Sequence, residues 1–265
     1  LAFFFTRMLD LGLSGTFSDV EFVVPRSVVI GTDVFEEFVE ANELGRFAHE
    51  DHSNEEVNQA FLEAEFTGEI IGEISVMLQQ TKWPLAIRSS SLLEDSSHQP
   101  FAGVYATYML ANDHPDLEVR LRRLLEAIKL VYASTYHRGA KAYVAATPST
   151  VEDERMAVVI QDLIGDEING RFYPMISGAA RSRNHYPVEP LIAEDGIAAI
   201  CIGLGRQVSA GGKCLRYSPG QPRRIHQFHS NQAILDTSQR NFFAIPMNQE
   251  DGAVHSSEER NLLNL

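Results

Sequence analysis

The run Trp83-Pro84-Leu85-Ala86-Ile87-Arg88-Ser89-Ser90-Ser91-Leu92-Leu93-Glu94-Asp95, followed by Phe101-Ala102-Gly103, is the stretch on which the fold turns. Trp83 to Ile87 reads as an apolar strand that runs straight into an arginine and three hydroxyls. A guanidinium at a strand end suits phosphate oxygens, because it offers a planar fork of donors and neighbouring backbone amides can wrap an anion. A glycine after an aromatic lets the backbone approach a ligand closely. Taken alone, the same residues also fit an Arg88 paired to Glu94 or Asp95 in a serine-rich turn.

Around this stretch lie 265 residues, 44% hydrophobic and 22% charged, enough for one large domain or two lobes with a real core. Lys and Arg number 22 against 36 Asp and Glu, a net charge of −14. That sign argues against nucleic acid or an anionic membrane as a partner, and an anionic ligand must be met by a local cationic pocket. Cys201 and Cys214 are too few for a disulfide framework and favour a reducing compartment, so a cytoplasmic location is expected. No apolar run approaches the ~18–20 residues of a membrane span. Leu1 to Phe5 is too short for a signal peptide, and a chain opening on Leu1 reads as a segment of something longer.

Periodicity places a short strand at Ser27–Ile30, with Asp33 and Glu36 as a capping-box-like helix start and Gly45 as its stop. Helices are expected over Asn54 to Phe66 and Glu69 to Leu78, and a strand over Val104 to Leu110. The long helix after Pro115 turns Leu117, Leu121, Leu124, Leu125, Ile128 and Val131 inward. Arg120, Arg123 and Lys129 fall mostly outside, and Glu118 supports Arg122. A polar linker at Thr147 to Glu154 leads to the apolar strand Met156 to Ile160, ending at Gln161. A turn at Asp166 to Gly170, strands near Phe172 to Ser177 and Ala179 to His185, and a strand over Ile197 to Ile202 follow.

Arg88-Ser89-Ser90 with Glu94-Asp95 and Phe101-Ala102-Gly103 resembles the nucleotide-binding signature of the phosphoenolpyruvate synthase and pyruvate phosphate dikinase family, whose fold is ATP-grasp. Val158-Val159-Ile160-Gln161 is similar to the family's strand ending in a Gln at the hinge, where adenine is read. Ser177-Gly178-Ala179-Ala180-Arg181-Ser182 resembles its Ser-Gly-x-x-Phe-Thr stretch, and Gly203-Leu204-Gly205 its Gly-Leu-Gly-Glu step. The order of these pieces across residues 85 to 211 makes the set more specific than any one of them.

The resemblance implies an α+β, two-lobed ATP-grasp domain, residues 1–157 and 158–265, with ATP in the cleft between them. It implies that Arg88 contacts the phosphates, with Ser89 and Ser90 beside it. It also implies that Gly103 and Thr107 lie along the nucleotide, and that Gln161 with the backbone of Asp162 and Leu163 holds the base. Arg181 and Arg183, two apart as on one strand face, are phosphate candidates if that face lines the cleft. An enzyme of this kind would be an ATP-dependent phosphotransferase of the kinase or dikinase type. Its phosphoryl group would pass to a His on a separate domain and on to a pyruvate-binding domain, in the same or another chain.

Two departures stand out. The family's Gly-Gly-Lys-x-x-Gly stretch would lie just ahead of Leu1, and its metal-binding Glu is replaced by Arg206, which cannot ligate Mg²⁺. Arg206 either takes over part of the metal's charge toward phosphates or marks a degenerate nucleotide-binding or structural module without transfer. Glu194 and Asp195 could supply displaced metal ligands, although loop carboxylates are usually solvated. His49 with His52, and His226 with His229, have metal-like i,i+3 spacing but no partner ligand at recognisable distance, so surface histidines are expected.

Overall fold

The computed structural model describes residues 6–8, 10–91, 104–145, 154–209, 211–248 and 262–264. The first unit runs α1 (Leu13–Thr16), β1 (Ser27–Ile30), α2 (Thr32–Ala41), α3 (Leu44–His49), α4 (Asn54–Glu63), α5 (Gly68–Gln79), β2 (Leu85–Ser91), β3 (Thr107–Leu110), α6 (Leu117–Ser134), α7 (Arg138–Ala145) and β4 (Met156–Asp162). Its four strands form an antiparallel sheet in the order β1-β4-β2-β3.

Alternation along these strands sorts the side chains onto two faces. Leu85 and Ile87 of β2 and Met156, Val158 and Ile160 of β4 are buried against the helices, in one cluster with Leu124, Ile128, Val131 and Tyr132 of α6. Phe35, Phe38, Phe61 and Phe66 close round Tyr132 and Tyr136 as tilted and edge-on rings, with Phe38 and Phe66 4.5 Å apart. Nearly all of the helical sequence therefore covers one side of the sheet, and the other side is left for the second unit.

Local chemistry explains the helix ends. Ser53 and Glu56 form a full capping box on α4, and Asp116 accepts from the Glu118 amide at 2.9 Å to start α6. The Asp33–Glu36 start is not the observed one: α2 begins at Thr32 with Gly31 as its cap and no side-chain hydrogen bond there. It stops at Ala41, where the Asn42 amide donates to the carbonyls of Phe38 and Glu65, and Gly45 already belongs to α3. Along α6 the salt bridge is Arg122–Glu126, not Glu118–Arg122. Arg120, expected outside, is buried and donates from Nη1 to the carbonyls of Leu78 at 2.9 Å and Thr81 at 2.7 Å.

The second unit begins with the hairpin of β5 (Asp166–Ile168) and β6 (Arg171–Tyr173), which β11 (Ile245–Pro246) extends into a three-stranded sheet. The expected turn is real but shorter. Asn169 and Gly170, at φ 52° and 72°, make the two-residue loop, and their left-handed backbone matches the strand twist. A second antiparallel sheet orders β7 (Ser177–Arg181), β8 (Ile197–Cys201) and β9 (Leu215–Tyr217). Short helices α8 (Arg206–Ser209) and α9 (Asn231–Thr237) and the pair β10 (Asn241–Phe243) and β12 (Leu262–Asn264) complete the described chain. The 157/158 division falls inside β4, which pairs with β1 and β2 along its length, so the change of sheet comes after Asp162.

The units meet through a small apolar cluster. Phe172, Leu204 and Ile245 form its centre, and Met109, Ala111 and Leu163 pack on it from the first unit. Trp83 stands edge-on to Phe172 at 5.5 Å, and the Asn248 amide donates to the Asp113 carboxylate.

Candidate functional site

Strand register puts a polar row on the side of the first sheet that turns away from the helices. Arg88 lies opposite Val159 on one side and Thr107 on the other, and Gln161 lies opposite both Ser27 and Ala86. Arg88, Thr107, Gln161 and Ser27 therefore share a face, with Ser90 one step further along β2. The Gln161 amide bridges them: its Nε2 donates to Ser27 Oγ at 3.1 Å, and its Oε1 accepts from Arg88 Nη1 at 3.5 Å. Met109, on the same face and two residues from Thr107, packs against the second unit, so the row borders the junction.

Ser89 does not join this row. Its partner across the ladder is Val158, a core residue, so it points to the helix side of the sheet. Gly103 lies outside the described residues, as do Glu94, Asp95, Phe101 and Ala102.

The segment leaving β4 is held firmly. The Asp162 amide donates to Arg26 O at 2.9 Å, and the Asp162 carboxylate accepts a two-pronged contact from the Arg26 guanidinium at 3.0 and 3.3 Å. The Leu163 amide donates to Pro84 O at 2.9 Å, and the Leu163 carbonyl accepts from the Trp83 indole at 2.6 Å. These backbone groups of Asp162 and Leu163 are thus committed within the protein. Ile164, the next residue, is 57% exposed, and Gly165 packs so close to the Tyr173 backbone that a Cβ there would fall 2.6 Å from its carbonyl carbon.

On the second unit, the Gly203-Leu204-Gly205 step is a tight crossing that fixes Arg206. Gly203 has φ 82°, and a Cβ on it would lie 2.6 Å from Phe243 O; its carbonyl accepts from Ser177 Oγ at 2.6 Å. Leu204 is buried and its amide donates to Phe243 O at 2.8 Å. Arg206 then opens α8 with its guanidinium carbon 5.6 Å from the centroid of the Phe243 ring, a cation–π distance. Burial pushes the Arg206 pKa down, which still leaves a guanidinium charged at neutral pH.

Arg181 ends β7 opposite Ile197 and is exposed. Arg183 lies beyond the strand, so the two do not share a strand face, and it pairs with Glu194 at 2.8 Å. Asp195 is equally engaged: one oxygen accepts from the Ile192 amide and from Gln221 Nε2, both at 2.9 Å. Nδ1 of His229 lies 2.9 Å from the His226 carbonyl, and His52 lies over Phe47 beside Glu50.

The donor set does not fit the Mg²⁺ that the resemblance implies. Mg²⁺ is held through carboxylates together with substrate phosphates. Here the position after Gly203-Leu204-Gly205 is a guanidinium, and the carboxylates of Glu194 and Asp195 are used as ion-pair and turn acceptors. Among the described residues no group of three or more His, Cys, Asp or Glu side chains could hold a metal ion. No helix of the described residues is long and apolar enough to cross a membrane.

Sequence reasoning missed Ser27, Trp83 and Phe243. Each acts through a partner 80 or more residues away, or through a ring beneath a charge, and becomes visible only with the strand register.

The chain is 25% identical over 193 residues to an uncharacterized phosphotransferase, YvkC, of Bacillus subtilis (strain 168). The match covers 71% of this chain and 20% of that protein, so the chain spans about a fifth of its relative's length. A family model described as the AMP/ATP-binding domain of pyruvate phosphate dikinase matches residues 10–257. With its mixed α+β architecture and this match over most of its length, the chain belongs to the pyruvate phosphate dikinase AMP/ATP-binding domain family, whose fold is ATP-grasp-like.

Proposed function

We propose that the chain is the ATP-binding unit of a phosphoenolpyruvate synthase or pyruvate phosphate dikinase-like phosphotransferase. The observation that carries the reading is the Ser27–Gln161–Arg88 row at the edge of the junction between the two units. The base would lie at the end of β4, near Gln161, where Ile164 is exposed beyond the committed Asp162 and Leu163 amides. Arg88 and Thr107 face the phosphates from the first sheet, and Arg206 and Arg181 face them from the second unit.

The γ-phosphoryl group would pass to a His on a separate domain, and from there toward a pyruvate-binding domain. Positioning and electrostatic stabilisation supply most of the rate in such transfers, so the residues of this chain act by binding, orienting and screening charge. A cytoplasmic setting follows from the substrate. A second reading, nucleotide binding without transfer, is favoured by one specific observation, the guanidinium of Arg206 at the family's metal position.

The test is phosphoryl transfer in the full-length protein, using labelled ATP and the acid-labile, base-stable signature of phosphohistidine. Label on a His that disappears in Arg88→Ala supports the first reading. ATP binding without label supports the second. Unchanged ATP affinity in Arg88→Ala shows that the phosphates lie elsewhere.

A further inference from the structure

We propose that Cys201 and Cys214 form a reversible cross-strand disulfide, a redox site that closes the segment carrying Gly203-Leu204-Gly205 and α8 into a ring. The inference goes beyond the nucleotide reading and does not depend on it.

Strand register brings the two thiols together. In the β8–β9 ladder Ala198 faces Tyr217, Ala199 faces Arg216 and Ile200 faces Leu215. The next step sets Cys201 opposite Cys214, and directly opposed residues send their side chains to the same face. The Gln227 side chain tells which kind of pair this is. Its Oε1 accepts from the Arg216 amide at 2.7 Å, and its Nε2 donates to the Cys214 carbonyl at 3.0 Å. Cys214 and Arg216 therefore turn their backbone polar groups away from β8, which makes theirs the narrow, non-hydrogen-bonded positions of the ladder. Such positions bring opposing Cα atoms to ~4.5 Å, inside the ~4.4–6.8 Å that a disulfide spans.

The reduced state has its own partner. Both cysteines are free and buried. Cys201 Sγ lies 3.2 Å from Ser177 Oγ on the neighbouring strand β7, and Ser177 Oγ donates to Gly203 O at 2.6 Å. The reduced sulfur thus rests on the β7 side of β8, and a change of χ1 rotamer carries it toward β9. Local opening makes Cys214 reachable: β9 is a three-residue strand at the edge of its sheet, and Gly211-Gly212 stand just before the cysteine. Where a compartment keeps thiols reduced, pairs of this kind are transient and redox-sensing.

The oxidant is a low-molecular-weight disulfide. Cys214, as its thiolate, attacks one of the reagent's sulfurs, giving a mixed disulfide and releasing one reagent thiol. Cys201, its proton passed to solvent, then displaces the second reagent thiol and forms the Sγ–Sγ bond. Two protons and two electrons leave the protein, and the reagent disulfide ends as two thiols.

The test equilibrates the whole chain, without denaturant, in fixed reduced glutathione with rising oxidised glutathione. Samples are acid-quenched, unfolded, alkylated with N-ethylmaleimide and read by mass spectrometry. Both alkylation sites should vanish together, a peptide linking Cys201 to Cys214 should appear, and dithiothreitol should restore both thiols. Cys201→Ala should stop at a glutathione adduct on Cys214. Ser177→Ala, which removes the partner of the reduced rotamer, should lower the oxidised glutathione needed for half conversion about two- to fivefold, the size of one weak hydrogen bond. The bridged protein should melt about 5–10 °C higher, the effect of closing a ring of about 15 residues. Native protein that stays folded by circular dichroism and keeps two free thiols, or carries only glutathione adducts, overturns the proposal. Bridging that needs denaturant, or a lowered Tm on bridging, overturns it equally, because the native ladder would not accept the bond. An unchanged half-conversion point in Ser177→Ala overturns the part given to Ser177.

Discussion

Replacing Arg120 by Met removes a buried guanidinium while keeping most of the side-chain volume, and the structure gives the size of the effect. Arg120 is 5% exposed. From Nη1 it donates to Leu78 O at 2.9 Å and Thr81 O at 2.7 Å, and it lies 3.4 Å from Asn112 Oδ1. Two good charge-assisted hydrogen bonds contribute ~1.5–3 kcal/mol each. Against this, Arg120 Nε has no acceptor, so the native guanidinium carries an uncompensated desolvation cost that the substitution relieves.

The carbonyls left behind keep only weak partners: Leu78 O retains the Thr81 amide at 3.4 Å, and Thr81 O retains Asn112 Nδ2 at 3.3 Å. The balance is a loss of about 2–3 kcal/mol. At ~2–4 °C per kcal/mol for a chain of this size, Tm should fall by about 5–10 °C. The assay is urea unfolding followed by circular dichroism, with an unchanged slope and a lower midpoint. Asn112→Ala in the Arg120→Met background should cost more than it does alone, because the Thr81 carbonyl then keeps neither of its two side-chain donors. A midpoint shift equivalent to less than about 1 kcal/mol would refute the reasoning, because it would mean that the Leu78 and Thr81 carbonyls find equal partners without the arginine.

Other predictions follow from single positions. Gly203→Ala should destabilise by at least about 2 kcal/mol, combining a left-handed backbone with contact on Phe243 O, whereas Gly72→Ala, an open site in α5, should stabilise by about 0.5–1 kcal/mol; thermal melts read both. Burial holds the His137 pKa below its ordinary 6.5, with Nε2 2.8 Å from Asn58 Oδ1. The unfolded chain therefore binds more protons below about pH 6.5, stability falls as pH drops through that window, and His137→Gln should flatten the fall. At the other end, burial pushes the Tyr108 and Tyr136 pKa values up to about 12, so stability should decline as pH rises from 10 toward 12 while these phenols stay protonated in the fold. Trp83, the single tryptophan, bridges Leu163 and Phe172, so saturating ATP should change its emission; an unchanged spectrum would separate nucleotide binding from the junction.

Much of the first unit was legible in the sequence because its signals are local. The apolar spacing of α5 and α6, the run Met156 to Ile160 and the strand before Arg88 each carry their own period. Arg120 was misread for a physical reason: helical periodicity places it beside polar positions, and only the carbonyls of Leu78 and Thr81, some 40 residues earlier, explain its burial. The capping of α2 failed likewise, since Asn42 draws half of its hydrogen bonds from Glu65. At the site, Arg88 and Gln161 could be picked out singly, but their shared face, the exclusion of Ser89 and the part of Ser27 depend on register across β1, β4, β2 and β3. Arg183 illustrates the reverse error, a strand spacing projected past the end of the strand at Arg181.

The central position of β4 also governs how the chain must be made and cut. The strands β1 and β2 never touch in the sheet; β4 lies between them and is the last of the four to be synthesised. Until residue 162 has emerged, β1 has no partner and β2 shows a bare edge, although the helices that cover them are already complete. Such a sheet closes late, across long stretches of sequence, which slows folding and leaves strand edges open to other chains in the interval. A truncation after residue 157 would fix that interrupted state permanently. One placed beyond Leu163 would release the first unit with its sheet whole.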